Sequence, residues 1–541
     1  MKKTTIFFMF IPLAISLALL AGPLALPDIF PLMLNPEKYP FNSVGLQLGM
    51  LGLSFVLNGQ WIISGTKKLI SRHPDIDSLA VIGPIGASGL ALTSFMHIGE
   101  RGYDIYITEL YILSAIIMIS ISTFGDSLMA SIRDNHPNMV NDDTDSLNHI
   151  ALWYIPCTII LCILALFLSY SAGSLDISYV FIMLYCACPV TIKLLYPLLL
   201  RTLMQVCRDY GIYIQNPEAL SRLPQINVAA FGVLGPLTRC DMIVTDVISQ
   251  GIPPDSMLNM AATAETYMDD PIAWAIVKEA RRRKLKLGTA SGTNTLPGMG
   301  IEAIINRMVV RVGSEKFLKA NGVEVNSEML IQADKLAAKG RFVVFVNSGR
   351  FCRGIIAVND LAHELLPEDV KDITSMGMDP MVLSGHSRTT ARYWAKLATI
   401  KNVKAGLSGE DKAKEIAIQQ TAGKAVAVLG TKVNTIPAMQ AADVAIAPQK
   451  AAQELKDTAH ILVDKPSLSM ISDTVSMGLA WEEKHFHCII SAFIMNIFMI
   501  LMGLYLAAMG ASEAFNQMIP LISAIISFIG LLFCNYRFNI D

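Results

Sequence analysis

The 541-residue chain carries 43 lysine and arginine residues against 45 aspartate and glutamate residues, so its formal net charge is −2. Hydrophobic residues make up 53% of the chain and charged residues only 16%, a composition typical of a protein that crosses a membrane several times. A nearly neutral chain lacks the basic character of a nucleic-acid-binding protein. We therefore predict the lipid bilayer as its environment and no nucleic-acid partner.

Eight apolar runs come close to the roughly 20 residues that a helix needs to span a bilayer. They lie at 5–26, 44–64, 79–97, 105–124, 150–171, 177–200, 488–509 and 517–534. Basic residues such as Lys67, Arg72 and Arg201 fall on one side of an eight-helix count, and the positive-inside rule makes that side cytoplasmic. The prediction is a multi-pass protein of the cell (inner) membrane, with both termini and the large polar segment in the cytoplasm.

The polar segment, about 201–482, is the only region with the composition of an ordinary globular domain. Two short apolar runs, 342–346 and 425–429, are typical of buried parallel strands, and the patterns at 272–286 and 411–420 indicate helices. Alternation of strands and helices predicts a doubly wound α/β domain.

A hydrophobic strand-like segment in this region ends at Phe231 and is followed by Gly232-Val-Leu-Gly-Pro-Leu-Thr238. The frame resembles the phosphorylation loop of the P-type ATPases, Asp-Lys-Thr-Gly-Thr-Leu-Thr, whose aspartate accepts the γ-phosphate of ATP. The resemblance places Gly232 on that aspartate, Val233 on the lysine and Leu234 on the first threonine. Glycine has no side chain, so it cannot be a covalent nucleophile.

The resemblance is to the heavy-metal-transporting (copper/zinc) branch of the P-type ATPases, and it covers nearly the whole chain. Further motifs occur in the family's order: Cys188-Pro189, Asp270-Pro271, Gly298-Met-Gly300, Arg311-Val-Gly313 and the hinge Gly430-Thr-Lys-Val-Asn434-Thr435. It implies a membrane bundle of eight α-helices and a cytoplasmic α/β phosphorylation domain of the haloacid-dehalogenase-like kind. An α+β nucleotide-binding-like domain is inserted in the latter.

The resemblance also implies domain boundaries. Transmembrane helices occupy 1–124, 150–200 and 483–541, the phosphorylation-like domain 201–250 and 351–482, and the nucleotide-binding-like domain 251–350. The family's actuator domain would lie at 125–149. That gap is too short for a folded domain, so we predict a short cytoplasmic loop there.

Other departures from the family concern its chemistry. Phosphoryl transfer there uses Mg²⁺ held by carboxylates beside the nucleophile, but the resemblance places Thr431 and Thr435 on the hinge aspartates and His386 on the acid of a Thr-Gly-Asp motif. We therefore predict a pseudo-ATPase that has no catalytic residues and is not an enzyme. Its expected role is that of a structural or regulatory subunit whose cytoplasmic head docks a protein partner in or at the membrane.

A vestigial nucleotide pocket is implied at Glu265, Gly298, Gly300 and Gly313, because glycines let a purine approach the backbone closely. Asp270, however, stands where the family has a histidine, and an acid there faces a polyphosphate. The glycines are equally explained as turns of a small sheet. We predict no cofactor, with ATP and Cu(I) as the alternatives.

Metal binding is a second open question. Cys186 and Cys188 lie just before Pro189, which breaks the helix, and soft thiolates suit Cu(I). The resemblance adds Met495. It also adds Glu109, which corresponds to an acid near the family's cytoplasmic metal entrance. Cys and Met are equally common as packing residues, and Lys193 would repel a cation. A passive copper-binding or copper-conducting membrane protein is the alternative function, and an ATP-driven heavy-metal pump of unusual chemistry is the third.

Overall fold

The computed structural model describes residues 10–25, 31–71, 73–98, 105–135, 145–171, 177–296 and 298–509. The chain forms two compact units. One contains residues 1–205 and 480–541, and the other contains residues 206–479. The first holds most of the apolar helices, and the second holds the described β-strands.

The helices of the first unit follow the apolar runs of the sequence. In chain order they are α1 (Ile11–Ala25), α2 (Pro40–Leu57), α3 (Gly59–Ile70), α4 (Ile76–Met96), α5 (Ile105–Asn135), α6 (Asp145–Ser171), α7 (Ser178–Cys186) and α8 (Val190–Asp209). A long helix, Ser469–Met509, brings the chain back from the second unit. Within the described residues, five segments are long and apolar enough to cross a membrane: Pro40–Leu57, Ile76–Met96, Thr108–Asn135, Leu152–Ser171 and Ser469–Met502.

The prediction of eight spans is therefore not confirmed. The first run is represented by the 15-residue α1, and the predicted span 517–534 lies outside the described residues. The span predicted at 177–200 is divided between α7 and α8, because Pro189 lacks an amide hydrogen and its ring clashes with the preceding turn. The predicted loop 125–149 also differs, since α5 continues to Asn135 and α6 starts at Asp145.

The second unit alternates strands and helices. Its elements are β1 (Ile212–Ile214), α9 (Ala219–Arg222), β2 (Ile226–Phe231), β3 (Ile243–Ser249), α10 (Pro254–Glu265), α11 (Pro271–Arg282), β4 (Gly292–Leu296), β5 (Gly300–Ile305), β6 (Met308–Gly313), α12 (Glu315–Ala320), α13 (Ser327–Ala337), β7 (Phe342–Ser348), β8 (Phe351–Asn359), α14 (Leu366–Ser375), β9 (Asp379–Ser384), α15 (Arg388–Leu397), β10 (Asn402–Ala405), α16 (Gly409–Thr421), β11 (Ala425–Leu429), α17 (Ile436–Ala441), β12 (Val444–Pro448), α18 (Gln453–Thr458) and β13 (Ile461–Val463). The long helix Ser469–Met509 is α19.

Seven strands form one sheet in the order β1-β13-β12-β11-β2-β9-β10. All neighbours pair in parallel except β1, which is antiparallel to β13. The apolar run at Ala425–Leu429 is thus a parallel strand, as predicted. Strand β2 lies between β11 and β9, and five of its six residues are buried, which explains its nearly continuous apolar sequence.

The other six strands form an antiparallel sheet in the order β3-β8-β7-β6-β5-β4. The prediction that residues 342–346 form a parallel strand is wrong, because β7 pairs antiparallel with both β6 and β8. A continuous apolar run indicates burial on both faces rather than strand direction. Both faces are covered here: Gly354 of β8 faces Met257 of α10, and its neighbour Ile355 packs with Met329 of α13.

The antiparallel sheet is an insertion in the parallel one. The chain leaves the parallel sheet at the carboxyl end of β2, builds β3 to β8 over residues 243–359, and returns at β9. This insertion is wider than the predicted segment 251–350 by one strand at each end. The carboxyl ends of β2, β9 and β11 therefore face the same edge as the insertion, where ligands of open parallel sheets bind.

In the first unit, helix α4 packs closely against α7 because a glycine lies at the contact. Gly86 is buried, and a Cβ atom there would stand 2.6 Å from the Tyr185 amide nitrogen and 2.8 Å from the Phe181 carbonyl oxygen of α7. Both are backbone atoms, which cannot rotate away as a side chain does. The absence of a side chain at Gly86 is therefore what lets α4 and α7 pack backbone to backbone.

We predict that Gly86→Ala destabilises the chain by about 1–3 kcal/mol, since overpacking at a backbone contact forces a helix shift. The matched control is Gly49→Ala in α2, where an added Cβ meets nothing within 4 Å and alanine favours the helix. Thermal unfolding of the detergent-solubilised chain should show a lower Tm for Gly86→Ala and an unchanged or higher Tm for Gly49→Ala. Equal Tm values would contradict the close packing of α4 on α7.

Candidate functional site

A cavity of about 610 Å³ lies in the second unit where the two sheets meet. It is lined by all ten residues that the sequence singled out for chemistry or nucleotide contact: Gly232, Val233, Leu234, Thr431, Thr435, His386, Glu265, Gly298, Gly300 and Gly313. The first six follow strands of the parallel sheet, and the last four belong to the inserted part. The volume lies within the range of small-molecule pockets.

The loop after β2 is held by its own polar groups. The Thr431 hydroxyl donates to the Leu234 carbonyl (2.9 Å), and a ring nitrogen of His363 donates to the Gly235 carbonyl (2.8 Å). Gly232 itself is unconstrained, because a Cβ atom there would meet nothing within 4 Å. The site therefore has room for a side chain at the position where the chain has none.

The glycines of the inserted sheet have steric reasons for being glycine. Gly300 and Gly313 are paired across β5 and β6, and a Cβ on either would collide with the other strand and with the Phe317 ring. Gly298 has a positive φ of 76°, and a Cβ there would collide with the Asn434 side chain. Packing alone accounts for these glycines, and the same bare backbone forms one wall of the cavity.

An ion pair crosses the cavity. The Lys432 ammonium lies 2.6 Å from an oxygen of Asp270, and the other Asp270 oxygen accepts the Ile272 amide at the start of α11. Burial opposes ionisation of Asp270, but the neighbouring Lys432 outweighs it and holds the pKa of this carboxyl below its usual value. Asp270 is thus an ionised helix cap that already has a cationic partner.

Three other titratable groups respond to the same surroundings. Burial, reinforced by Asp270, raises the pKa of Glu265 to about 8, so this carboxyl is protonated at neutral pH and can donate a hydrogen bond. Burial, reinforced by Lys432, lowers the pKa of Lys412 to about 8. Burial also lowers the pKa of His386, whose ring packs edge-on against Phe342 at 4.7 Å and stays neutral.

In the first unit, the break between α7 and α8 carries the thiols. Cys186 and Cys188 are both buried, and the Cys188 thiol points to the Leu79 and Ala80 carbonyls of α4 (3.4 and 3.5 Å). The sulfur of Met118 lies beside the same glycine: a Cβ on Gly83 would stand 2.6 Å from the Cys188 sulfur and 2.8 Å from the Met118 sulfur. Sequence analysis missed Met118, because its proximity to Cys188 depends on that glycine.

The other residues near the break are polar. The Tyr154 hydroxyl donates to the Ala187 carbonyl (2.7 Å), which the broken helix leaves free, and Tyr154 also lies close to Asn496 of α19. Met495 belongs to the same helix, but its side chain is outside what the structure describes. Within the described residues, no three His, Cys, Asp or Glu side chains converge as a metal site.

Glu109 lies elsewhere. It is fully buried near the start of α5, where Ser43 donates to one carboxylate oxygen and the other oxygen has no hydrogen-bond partner among the described residues. Nine residues of helix, about 13 Å, separate it from Met118. The structure therefore does not bring Glu109 into one site with the thiols.

Lys193 does not carry the repulsive charge that we expected of it. Its ammonium lies 2.7 Å from Asp77 and 3.0 Å from Asp126, and 4.2 Å from the centre of the Trp61 ring. Two carboxylates and an aromatic face compensate one buried ammonium. The charge of Lys193 is therefore no reason to exclude a cation from this end of the bundle.

We predict that Glu265→Gln makes the chain more stable than wild type as the pH rises. The pKa of Glu265 is raised from 4.5 to about 8 on folding, so between these values the folded state holds the proton that the unfolded state has lost, and the free energy of unfolding falls with pH. Glutamine keeps the neutral form and removes the cost, on the order of 4 kcal/mol by pH 8.

Thermal unfolding at pH 5 and at pH 8 measures this difference. The Tm of Glu265→Gln should exceed that of wild type by several degrees at pH 8, and the two should be close at pH 5. The exposed Glu324 provides the control, since Glu324→Gln should change neither value. A Tm difference for Glu265→Gln that does not grow with pH would contradict a buried, protonated Glu265.

No protein-family model matches the chain, but individual proteins do. Copper-transporting ATPase 2 of Rhizobium meliloti is 26% identical over 340 residues, 62% of this chain and 41% of that protein. The copper-exporting P-type ATPase of Legionella pneumophila is 28% identical over 300 residues, 54% and 41% of the two chains. The probable copper-exporting P-type ATPase V of Mycobacterium tuberculosis is 31% identical over 265 residues, 49% and 34%. The chain spans less than half the length of these curated relatives.

Among solved structures, a crystal structure of a zinc-transporting PIB-type ATPase in the E2·Pi state resembles the chain with a TM-score of 0.62. The match covers 97% of this chain and 99% of that one, at 17% identity. A match at a sequence identity of 17% shows that the two chains share a fold, and nothing about function. The chain therefore shares the fold of that PIB-type ATPase structure.

These relatives contradict three predictions from the sequence: a pseudo-ATPase that does not pump, a protein that is not an enzyme, and the absence of a cofactor. The relatives are named copper-transporting or copper-exporting ATPases, and none of the comparisons indicates a protein partner. The sequence argument extended from missing motif residues to missing function, which does not follow. In sequence the chain is thus similar to copper-transporting P-type ATPases, and in fold to a zinc-transporting one.

Proposed function

We propose that this chain is a heavy-metal-transporting membrane ATPase that couples a nucleotide in the cavity of its second unit to a copper-class cation in its first. The observation that carries the proposal is the cavity, which unites the Gly232 loop, the hinge threonines and the glycine-lined sheet edge. The membrane-spanning helices supply the route, and the positive-inside rule supports a cytoplasmic second unit.

The cavity residues fit a nucleotide. The bare backbone at Gly298, Gly300 and Gly313 admits a flat base, and the protonated Glu265 can donate a hydrogen bond to a ring nitrogen. Lys412 is 4% exposed, lines the same cavity and provides a cation for phosphate oxygens. When bound, ATP supplies the phosphoryl group whose release provides the free energy of transport.

The chemical step cannot pass through residue 232. A glycine offers no carboxylate to attack the γ-phosphorus, so in wild type the phosphoryl group must pass to water or to another nucleophile. The residues around the Gly232 loop then act by orientation and by charge. Thr431 fixes the loop through its hydrogen bond to Leu234, and Lys412 attracts the phosphate oxygens.

Soft sulfur ligands favour copper over zinc as the cargo. Cys188, Cys186 and Met118 are buried at or beside the helix break, and thiolate with thioether is a ligand set that selects Cu(I). Zinc sites use four ligands from Cys, His and carboxylates, and the described residues offer no such group of three. We accordingly propose Cu(I), held near Gly83, as the transported ion.

The decisive measurement is copper-dependent ATP hydrolysis by the chain reconstituted in lipid vesicles. We predict that Cu(I) stimulates hydrolysis in wild type, that Cys188→Ala abolishes the stimulation, and that Met118→Leu raises the half-activating copper concentration about tenfold by removing one ligand. Cys157→Ala is the control, because this thiol is exposed in α6. Absence of copper-stimulated hydrolysis in wild type would refute the proposed function.

A separate prediction concerns the phosphoryl acceptor. Incubation with γ-phosphate-labelled ATP should leave wild type without a hydroxylamine-sensitive phosphoenzyme, whereas Gly232→Asp should form one, since the new side chain meets no neighbour within 4 Å of its Cβ. Gly232→Asn has the same shape without a carboxylate and should remain unlabelled. A labelled wild-type chain would show that another carboxylate serves as acceptor.

A further inference from the structure

We propose that Lys412 and Lys432 replace the divalent cation at the phosphate end of the cavity, so that this chain binds nucleotide phosphates without Mg²⁺. The inference rests on the nucleotide binding proposed above and concerns how that binding is achieved. It is carried by three observations on the described residues: the positions beside Gly232 offer no carboxylate to Mg²⁺, Lys412 is buried without a carboxylate partner, and Lys432 also lines the cavity.

The residues beside Gly232 do not fit Mg²⁺. This ion demands a near-octahedral set of oxygen ligands, usually anchored by one or two carboxylates. The three positions that carry aspartates in the family motifs are Gly232, Thr431 and Thr435. The Thr431 hydroxyl is already bonded to the Leu234 carbonyl, and the Thr435 hydroxyl faces the amide oxygen of Asn434 at 3.4 Å.

Four acidic residues line the described part of the cavity, and each is already paired, protonated or located on a helix of the inserted part. They are Glu265, Asp270, Glu315 and Asp334. Asp270 is engaged by Lys432 and by the first turn of α11, and Glu265 is protonated at neutral pH. The last two lie on α12 and α13 of the inserted part. We therefore derive no step through Mg²⁺.

Lys412 is a buried cation that lacks a counter-charge. It is 4% exposed, and the partner that the described structure gives its ammonium is the Asn434 amide oxygen, at 3.3 Å. None of the ion pairs formed by described residues includes Lys412. A buried ammonium without a carboxylate is costly, and an anionic ligand in the cavity that it lines would relieve this cost.

Lys432 supplies the second cation from an unusual position. The resemblance places it on the second glycine of the family's hinge motif, Gly-Asp-Gly-x-Asn-Asp, and its side chain reaches Asp270 on the inserted part. Its charge is felt at Lys412, whose pKa it helps to lower. Asp270 therefore competes with any phosphate for Lys432, and this competition gives the two residues opposite expected effects on ligand binding.

The test uses the full chain in detergent, with ATP and inorganic tripolyphosphate as probes and calorimetric titration as the readout. We expect wild type to bind both probes with affinities that differ less than about threefold between EDTA and excess Mg²⁺. Lys432→Gln should weaken binding in EDTA about tenfold, because a charge-assisted contact is lost. Asp270→Asn should strengthen it severalfold, because asparagine still caps α11 while Lys432 becomes available.

The opposite signs distinguish a phosphate site from a structural ion pair, since breaking a purely structural pair would weaken binding in both variants. Lys424→Gln is the matched control, because this exposed lysine pairs with Asp379 outside the cavity lining and should leave binding unchanged. Thermal unfolding confirms that each variant is folded before titration.

Binding that is at least tenfold tighter with Mg²⁺ than with EDTA would overturn the inference and leave the proposed function in place. Failure of ATP to bind in either condition, with tripolyphosphate bound and dependent on Lys432, would support the lysine site and overturn the nucleotide proposal. Failure of both probes in both conditions, in folded protein, would overturn both.

Discussion

The second unit depends on where strand β2 ends. This strand is buried between β11 and β9, so its end is fixed in the middle of the parallel sheet. The chain leaves the sheet after Phe231, forms the antiparallel sheet, and returns at Asp379, the first residue of β9. Since β9 is the neighbour of β2, the insertion must begin and end at adjacent points of one edge. The cavity between the sheets, and with it every candidate cytoplasmic site residue, follows from that constraint.

Much of this arrangement was accessible from the sequence. Continuous apolar runs such as Ala425–Leu429 identify buried parallel strands, and ordered motifs such as Gly298-Met-Gly300 predict which loops meet. The direction of β7 was not accessible, because burial on both faces gives the same pattern in either kind of sheet. The extension of α5 to Asn135 was missed for a related reason. A helix that runs past the apolar region leaves no hydropathy signal at its end.

The candidate site also has features that the sequence predicts and features that it does not. Residue identity at Gly232, Thr431 and Thr435 is plain from the sequence, and it predicts that no aspartyl phosphate forms at position 232. It did not license the larger conclusion that the protein has lost its activity, which the relatives contradict. Contacts between residues far apart in the chain could not be predicted from the sequence. Met118 approaches Cys188 only because Gly83 has no side chain, and Lys432 reaches Asp270 only because the inserted sheet folds back on the hinge.

Three lysines show how partners, rather than position, decide what a buried charge means. Lys193 looked from the sequence like an obstacle to a cation, but Asp77 and Asp126 both contact its ammonium, and this cluster has no need of a further anion. Lys432 has one carboxylate, Asp270, which sits where a phosphate could displace it. Lys412 has an amide oxygen alone. Because the free energy of burying a charge must be recovered from some partner, the demand for a ligand rises in that order, and the two lysines with the greater demand line the same cavity. Among the described lysines, the unmet demand for an anion therefore lies in the cavity of the second unit, at Lys412 and Lys432, and not at Lys193.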